Sequence, residues 1–207
     1  IRTTDILPVD LNCLLDHLET TLARSYSLSG QLQKAAKFSA LAQSRLIAIN
    51  KYFYNPHDGW YYDYIISENK ISVEKTIAGM SPFFFKIAPN TYIDKVTKII
   101  TNEFLYAGGV VTSLKNSGQQ WDAPNGWAPL QWITIIGLRN YGENQLAEDI
   151  AKRWIGLNKK VYKSTRKLME KYNVKDMNLT AGGGEYPAQD GFGWTNGVLL
   201  ALMGIYK

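Results

Sequence analysis

Residues 128–138 read APLQWITIIGL, a segment that is apolar on nearly every side of the helix it would form. Two other segments share this character, AGMSPFFFKIA (78–88) and GVLLALMGIY (197–206). A helix that is apolar all round has to be buried on all sides. The three segments therefore predict the inner elements of a larger helical structure.

Amphipathic segments near 31–53, 92–105 and 144–157 alternate with these apolar ones. In 31–53, small and apolar side chains keep close to a 3.6-residue period. Because an amphipathic helix covers a buried one from outside, the alternation predicts two layers of helices wound as successive hairpins. A first segment, 8–26, has Pro8 at a first-turn position and completes three and a half hairpins.

The links between these segments differ in length according to their direction. Links from an inner to an outer segment are short: 27–30, 89–91 and 141–144. Links from an outer to an inner segment are long: roughly 54–76, 106–126 and 158–190. Long loops gathered at one end of a helical scaffold are where a functional site is expected. In the first of them, FYNPHDGWYYDYII (53–66) predicts a β-hairpin.

The composition is typical of one globular domain of 207 residues, 45% apolar and 20% charged. No segment has the roughly 18–20 uninterrupted apolar residues that span a bilayer, so we expect no membrane partner. No signal peptide is visible. The sequence starts without Met and in mid-pattern, which predicts that it begins inside a longer polypeptide. The lone cysteine, Cys13, is expected to be a small buried side chain rather than part of a disulfide.

The net charge of +5 is concentrated in KKVYKSTRKLMEKYNVK (159–175), which has seven basic residues and one glutamate. Such a stretch suggests nucleic-acid binding. It carries no recognised binding module, however, and a solvated basic helix end is the favoured interpretation. We therefore expect no nucleic-acid partner.

The loops are rich in aromatic, amide and carboxylate side chains and poor in histidine. His17 and His57 are the two histidines, and no cluster has metal-ligand spacing, so neither a metal nor a cofactor is expected. Nucleophile-elbow, phosphate-loop and Ser-His-Asp patterns are missing as well. The remaining mixture suits a sugar, since aromatic planes cover its C–H face while amides and carboxylates bind its hydroxyls.

The stretch GQQWDAPNGWAPLQW (118–132) has two interpretations. Asp122 and Asn125 could cap a helix that starts around Trp127, with Pro129 in its first turn. The tryptophans and amides at that helix start would equally suit a sugar pocket. The residues alone leave both open.

Two carboxylates are candidates for chemistry. Glu170 has Arg166 four residues earlier, which is typical of an exposed helical ion pair, but its cationic neighbours would also keep a general base ionised. Glu185 stands in GGGEYP, where the glycines permit close approach of backbone to a ligand. The alternative for Glu185 is a flexible solvated loop.

Four stretches of the chain resemble the trehalase family. QWDAPNGWAP (120–129) and GGGEYPAQDGFGWTNGV (182–198) are similar to its two most distinctive strings. TTDILPVDLN (3–12) and KLMEKYNV (167–174) fit the same family in order and spacing. The resemblance therefore extends over essentially the whole sequence.

The resemblance implies an all-α fold, the (α/α)6 toroid, here a partial toroid of about seven helices plus a small β-hairpin. Residues 1–207 would be the C-terminal part of one catalytic domain. The implied reaction is hydrolysis of α,α-trehalose to two glucose molecules with inversion, which uses a general acid and a general base. By motif, Glu170 matches the base, Glu185 a substrate-binding carboxylate, and Trp127 a residue of the pocket motif.

The sequence also departs from the family pattern. The family's general acid is an aspartate in a motif just upstream of 3–12, and an arginine-containing N-terminal motif is absent too. Ala181 precedes three glycines where family members often have a longer run. The resemblance thus implies a missing N-terminal part as partner, and a fragment that by itself is inactive and self-associates.

Three alternatives to trehalose hydrolysis remain at this point. The chain could hydrolyse another α-glucoside on the same fold. It could be a non-catalytic sugar-binding or structural fragment, because the general acid is missing. The basic stretch keeps a nucleic-acid module as a third. Family members occur in periplasm and cytoplasm, and the sequence does not choose between these compartments.

Overall fold

The computed structural model describes residues 2–182 and 186–207, and this part of the chain is mostly helical. Its α-helices are α1 (Val9–Leu28), α2 (Leu32–Tyr52), α3 (Ser81–Phe84), α4 (Ile93–Ile99), α5 (Ala128–Asn140), α6 (Asn144–Thr165) and α7 (Gly193–Ile205). A 3₁₀ turn (Ile77–Met80) precedes α3, another (Asn90–Tyr92) precedes α4, and a π turn (Ile100–Phe104) follows α4.

The helices form the two predicted layers. Along the inner row, α1 packs on α3, α3 on α5, and α5 on α7. On the outside, α2 packs on α1, while α6 packs on α5 and α7. The alternation of apolar and amphipathic segments predicted this arrangement correctly, and the partial toroid is confirmed.

Nine short strands supplement the helices in the described residues. They are β1 (Ile6–Leu7), β2 (Tyr54–Asn55), β3 (Trp60–Tyr61), β4 (Tyr64–Ile65), β5 (Lys70–Ile71), β6 (Leu105–Tyr106), β7 (Gly109–Val110), β8 (Asn125–Trp127) and β9 (Lys171–Asn173). The predicted hairpin is β2–β3, paired antiparallel across residues 56–59. The sequence did not predict the three-stranded sheet β1-β4-β5 or the pairs β6–β7 and β8–β9.

The core lies between the two helical layers and extends under the strands. Its largest fully buried side chains include Trp60, Phe104 and Trp154. Cys13 is fully buried as predicted, and this burial raises the pKa of its thiol. Gln131 of α5 is buried as well, but its amide bonds both backbone groups of Val110 in β7, at 2.9 and 2.6 Å. Because both polar ends are paired, Gln131 joins α5 to the strands without leaving a buried donor or acceptor unmet.

The helices at the two ends of the inner row expose large apolar side chains. On α1 these are Leu11, Leu14 and Leu18, each about half exposed (48, 52 and 51%). On α7, Leu200 is 75% exposed. This agrees with a row of inner helices that does not close into a ring within the described residues. Over that same part of the chain, no helix combines the length and apolar character needed to cross a membrane.

The basic stretch 159–175 is not one solvated helix end. Helix α6 continues to Thr165, eight residues beyond its predicted end, and stops where Arg166 takes a left-handed conformation (φ 60°). The chain then enters β9, in which the Lys171 side chain is buried. The positive charge is therefore divided between a helix end, a turn and a buried strand.

Gly79 and Gly156 lie in opposite environments, so replacing each with alanine should change the stability of the protein in opposite directions. At Gly79, an added methyl group would overlap the Trp60 indole and lie 2.6 Å from the Tyr61 carbonyl oxygen, both fully buried. At Gly156, on the exposed side of α6, nothing lies within 4 Å. We expect Gly79→Ala to lower the free energy of unfolding by about 1–3 kcal/mol. Gly156→Ala should raise it by about 0.5–1 kcal/mol, since alanine is the better helix former.

Urea unfolding of the protein expressed from its complete gene measures both changes as midpoint shifts at constant slope. Shifts of the same sign in the two variants would contradict the packing described for Gly79.

Candidate active site

Strands β8 and β9 bring together two loops that lie far apart in the sequence. They pair antiparallel, with Asn125 opposite Asn173, Gly126 opposite Tyr172, and Trp127 opposite Lys171. Gly126 is required at this crossing, because an added methyl group would lie 2.5 Å from the Val174 side chain. The pairing places the tryptophan-rich stretch before α5 beside the carboxylate that precedes β9.

Glu170 stands directly before β9 and is buried, with 3% of its surface exposed. Its backbone N–H donates to the Gln189 carbonyl at 2.7 Å, and its own carbonyl accepts from the Trp194 indole N–H at 3.3 Å. The chain leaves helical geometry at Arg166, so the four-residue spacing no longer places Arg166 against Glu170. The exposed helical ion pair is therefore wrong as an interpretation of Glu170.

The carboxylate of Glu170 is held by two neighbours. Lys171 Nζ lies 3.0 Å from Oε2, and the two side chains are 0% and 3% exposed. The Tyr186 hydroxyl donates to Oε1 at 3.0 Å. That hydrogen bond is the main cause that raises the pKa of Tyr186 above its ordinary value, since it stabilises the neutral phenol beside a negative charge.

A stack of aromatic rings forms the wall beside this carboxylate. The rings of Trp121 and Trp127 are parallel within 5°, with centroids 3.8 Å apart, and Trp194 meets Trp127 edge-on at 5.8 Å. Trp127 is 1% exposed, whereas Trp121 is 48% exposed and Tyr186 38% exposed. Trp194 is 37% exposed, so the accessible aromatic surface belongs to Trp121, Tyr186 and Trp194, while Trp127 is buried against Trp121.

Gln120 links the tryptophan wall to the carboxylate. Its backbone carbonyl accepts from the Trp127 indole N–H (3.0 Å) and from the Asn125 amide (3.2 Å). Its side-chain oxygen accepts from Lys171 Nζ at 3.4 Å. Asn125 also donates to the Gly182 carbonyl at 2.5 Å, which ties the start of the glycine-rich stretch to the same wall.

Of the two interpretations of 118–132, the capping of α5 by Asp122 and Asn125 is wrong. Trp127 is the N-cap residue and makes no side-chain capping bond, although Pro129 does occupy the first turn. Asp122 instead accepts from the backbone N–H and hydroxyl of Ser117, at 2.6 and 2.5 Å. Three residues of strand β8 stand between Asp122 and the helix, which is why the carboxylate cannot reach the helix start.

The remaining residues singled out in the sequence are Glu185 and the two histidines. Glu185 lies outside the described residues. His17 is in α1 and His57 is in the turn between β2 and β3, as predicted. In residues 2–182 and 186–207, no group of three or more His, Cys, Asp or Glu side chains could hold a metal ion. A cavity of about 250 Å³ is lined in part by Leu157, Val161 and Tyr172, and Glu170 is not among its lining residues.

Sequence reasoning missed three residues of the site, Gln120, Tyr186 and Lys171. Gln120 and Tyr186 stand inside the two motifs, yet their contacts with Lys171 and Glu170 depend on the β8–β9 pairing. Lys171 had one local signal, its position directly beside the candidate base. Its burial could not be read locally, because lysine is almost never fully buried unless it is paired.

Comparison with known proteins gives one family. The sequence model of the family described as Trehalase matches residues 1–207. The periplasmic trehalases of Salmonella agona and Salmonella paratyphi C are each 46% identical to this chain over 203 residues. The match covers 98% of this chain and 36% of each relative, so the chain spans about 36% of their length.

Solved structures agree on the fold. The neutral trehalase of Saccharomyces cerevisiae superposes with a TM-score of 0.83 at 23% identity, over 98% of this chain and 38% of that protein. A mannosylglycerate hydrolase from Thermus thermophilus superposes with a TM-score of 0.71 at 18% identity, over 97% of this chain and 46% of that protein. At these identities the likeness concerns the arrangement of helices.

The contact between Tyr186 and Glu170 can be tested by titration. Glu170→Gln removes the negative charge that disfavours the phenolate, so the pKa of Tyr186 should fall toward its ordinary value. The measurement is the Tyr186 ¹³Cζ shift against pH in tyrosine-labelled protein from the complete gene, with the signal assigned by Tyr186→Phe. An unchanged or higher pKa in the Gln variant would show that Tyr186 does not donate to this carboxylate.

Proposed function

Because this chain belongs to the trehalase family, we propose that it takes part in hydrolysis of α,α-trehalose to two glucose molecules. The observation that carries this proposal is the 46% identity to periplasmic trehalases across 98% of the chain. The site adds chemical support, since it combines a buried carboxylate with exposed aromatic faces. That combination suits a sugar whose C–H face needs a flat apolar surface and whose reacting carbon needs an activated water.

Glu170 is the general base in this proposal. A base must have a free carboxylate oxygen within reach of the water, and the ammonium of Lys171 lies 3.0 Å from one oxygen of Glu170. Lys171 and Tyr186 each occupy one lone pair of the two carboxylate oxygens, so acceptor positions remain for a water. Fixed contacts on both oxygens also hold the carboxylate in one orientation, which general-base catalysis requires.

The general acid is proposed to come from outside residues 1–207. Inverting glycosidases place their two carboxyl groups roughly 6.5–9.5 Å apart, which leaves room for the attacking water. The relatives are almost three times as long as the matched region, which accommodates a second carboxyl group on another element. We therefore expect residues 1–207 alone to release no glucose from trehalose.

We assign substrate binding to the aromatic residues around Glu170 and to Glu185. Trp121, Tyr186 and Trp194 offer the accessible rings. Trp127 fixes Trp121 by stacking. Glu185, one residue before Tyr186, is proposed to bind a sugar hydroxyl. In the sequence, Glu185 is the neighbour of Tyr186, whose hydroxyl donates to the Glu170 carboxylate.

The decisive variant is Glu170→Gln, which keeps the shape of the side chain and removes its basicity. Loss of a general base costs typically 10²–10⁴-fold, so we expect glucose release from trehalose to fall by about 10³-fold with circular dichroism unchanged. Glu74→Gln is the matched control, because Glu74 also pairs with a lysine (Lys115, 3.0 Å) but is exposed. It should retain full activity.

The assay uses protein from the complete gene and compares trehalose with maltose and kojibiose. Glucose release by Glu170→Gln within a few-fold of the parent would remove Glu170 from the mechanism. Faster release from maltose or kojibiose than from trehalose would keep the site and change the substrate. No release from any of them by the parent protein would favour a non-catalytic role.

A further inference from the structure

Asp122 directly follows Trp121 in the loop of residues 115–123, and the proposed reaction gives it no role. Its side chain is buried, with 6% of its surface exposed, whereas residues 115–119 of the same loop are exposed. We propose that Asp122 is a positioning residue that closes this loop and thereby holds the Trp121 ring as a platform for the sugar. This inference rests on the proposed function, in which Trp121 offers one of the accessible rings.

Backbone acceptors close the loop at its base. The backbone N–H and the hydroxyl of Thr112 donate to the Asn125 carbonyl, at 3.0 and 2.8 Å. Further out, the backbone N–H of Ala123 donates to the Lys115 carbonyl at 2.8 Å. These contacts persist whatever side chain stands at position 122, so they hold the base of the loop independently of Asp122.

The outer part of the loop is closed by the Asp122 carboxylate instead. Its Oδ2 accepts from the backbone N–H and the hydroxyl of Ser117, at 2.6 and 2.5 Å. Hydrogen bonds to a carboxylate are stronger than those between neutral groups. Gly118 follows Ser117 with φ 82°, a left-handed conformation that glycine adopts without strain, and the chain reverses there toward Trp121. A single side chain therefore ties the far side of the loop to the residue next to Trp121.

The Trp121 ring needs a fixed backbone because most of its other support comes from one stack. It lies parallel to Trp127 within 5°, at 3.8 Å between centroids, while 48% of its surface is exposed. A stacked aromatic pair contributes only modestly to stability. The stack sets the plane of the ring, whereas the backbone from which the ring projects is set by the closure at Asp122.

The functional consequence concerns substrate affinity. A platform ring faces the C–H groups of the sugar and not the bond that breaks, so it contributes equally to binding of the ground state and of the transition state. Loss of such uniform binding raises KM and leaves kcat unchanged. A residue with a merely structural role would lower the stability of the protein without this separation of KM from kcat.

The kinetic test compares Asp122→Ala, Asp122→Asn, Trp121→Ala and the double variant with alanine at both positions. Asp122→Asn keeps an oxygen that can accept from Ser117. Asp58→Ala is the control, because Asp58 likewise holds a turn by accepting from a backbone N–H (Trp60, 3.2 Å) and from a hydroxyl (Tyr62). For each variant, KM and kcat for glucose release from trehalose are measured with protein from the complete gene.

We expect Trp121→Ala to raise KM about 3- to 10-fold, as loss of an aromatic contact would, with kcat within about twofold of the parent. Asp122→Ala should raise KM by most of that factor, whereas Asp122→Asn should stay near the parent value. The double variant should equal Trp121→Ala, since Asp122 acts through that ring and the two effects are not additive. Asp58→Ala should leave KM unchanged.

Labelling with 5-fluorotryptophan reports the position of the ring directly. A ring stacked on Trp127 lies in the shielding region of that indole, so its ¹⁹F signal differs from that of an exposed tryptophan. Trp121→Phe assigns the signal. In Asp122→Ala the signal should move toward the position of an exposed tryptophan, and in Asp122→Asn it should stay. Ser117→Ala, which removes one of the two donors, should move it in the same direction by less.

Several results would overturn the proposal. These are an unmoved ¹⁹F signal in folded Asp122→Ala, an unchanged KM in that variant, or additive effects in the double variant. If Asp122→Ala does not fold, Ser117→Ala decides: a shifted signal with raised KM supports the proposal, and parent values for both refute it.

The outcome is separable from that of the proposed function. If Trp121→Ala raises KM while Asp122→Ala keeps the parent KM and ¹⁹F signal, the platform stands and the role of Asp122 alone is refuted. If Trp121→Ala leaves KM unchanged, Trp121 is no platform and this inference falls, whereas Glu170 is judged by its own variant. If the parent protein releases no glucose, the proposed function fails and this inference fails with it.

Discussion

Three residue pairs between β8 and β9 hold the candidate site together. Without them, the tryptophan-rich stretch before α5 and the carboxylate after α6 would be two separate surface loops. The pairing aligns Trp127 with Lys171, and so puts a cation between the aromatic wall and Glu170. Strand β8 leads directly into α5, and β9 follows α6, so the packed helices hold both strands in place. Gly126, which has no side chain, allows the backbones of β8 and β9 to lie close together. The helices therefore serve the site by fixing where two very short strands meet.

The Glu170–Lys171 ion pair supplies the charged groups of the site, and losing either partner would lower the stability of the protein. Breaking a buried ion pair by removing one partner typically costs about 3–5 kcal/mol, because the remaining charge is left uncompensated. A pair replaced entirely by apolar residues is often no less stable. Stability alone would not require two charges here, so their presence agrees with a functional use of the carboxylate.

Much of the fold could be predicted from the sequence because its signal is local. A helix that is apolar on all sides differs visibly from one with a polar face, and the alternation of the two was enough to predict the layers. The β2–β3 hairpin was predicted for the same reason, since its turn residues lie between its strands. The end of α6 was placed too early because its last two turns are polar, and polarity does not distinguish a solvated helix from a loop.

The candidate site was less predictable because its contacts join distant residues. Glu170 next to lysines could be an exposed ion pair or a buried base, and burial is decided by β8 and by the segment 189–194. Asp122 and Asn125 look like helix caps, but strand pairing takes the intervening residues away from the helix. The family resemblance pointed to Glu170 and Trp127, whereas Lys171 became visible as a partner of Glu170 only from its position in space.

Glu170 is proposed to remove a proton from the attacking water, and one product analysis tests this role directly. In Glu170→Ala, the base is gone and a space is left where azide, which needs no deprotonation, can attack instead of water. With α-glucosyl fluoride as substrate and protein from the complete gene, we expect azide to restore turnover by displacing fluoride and to yield β-glucosyl azide, the inverted product. Glucose as the main product at an unimpaired rate, or no azide adduct at all, would contradict it.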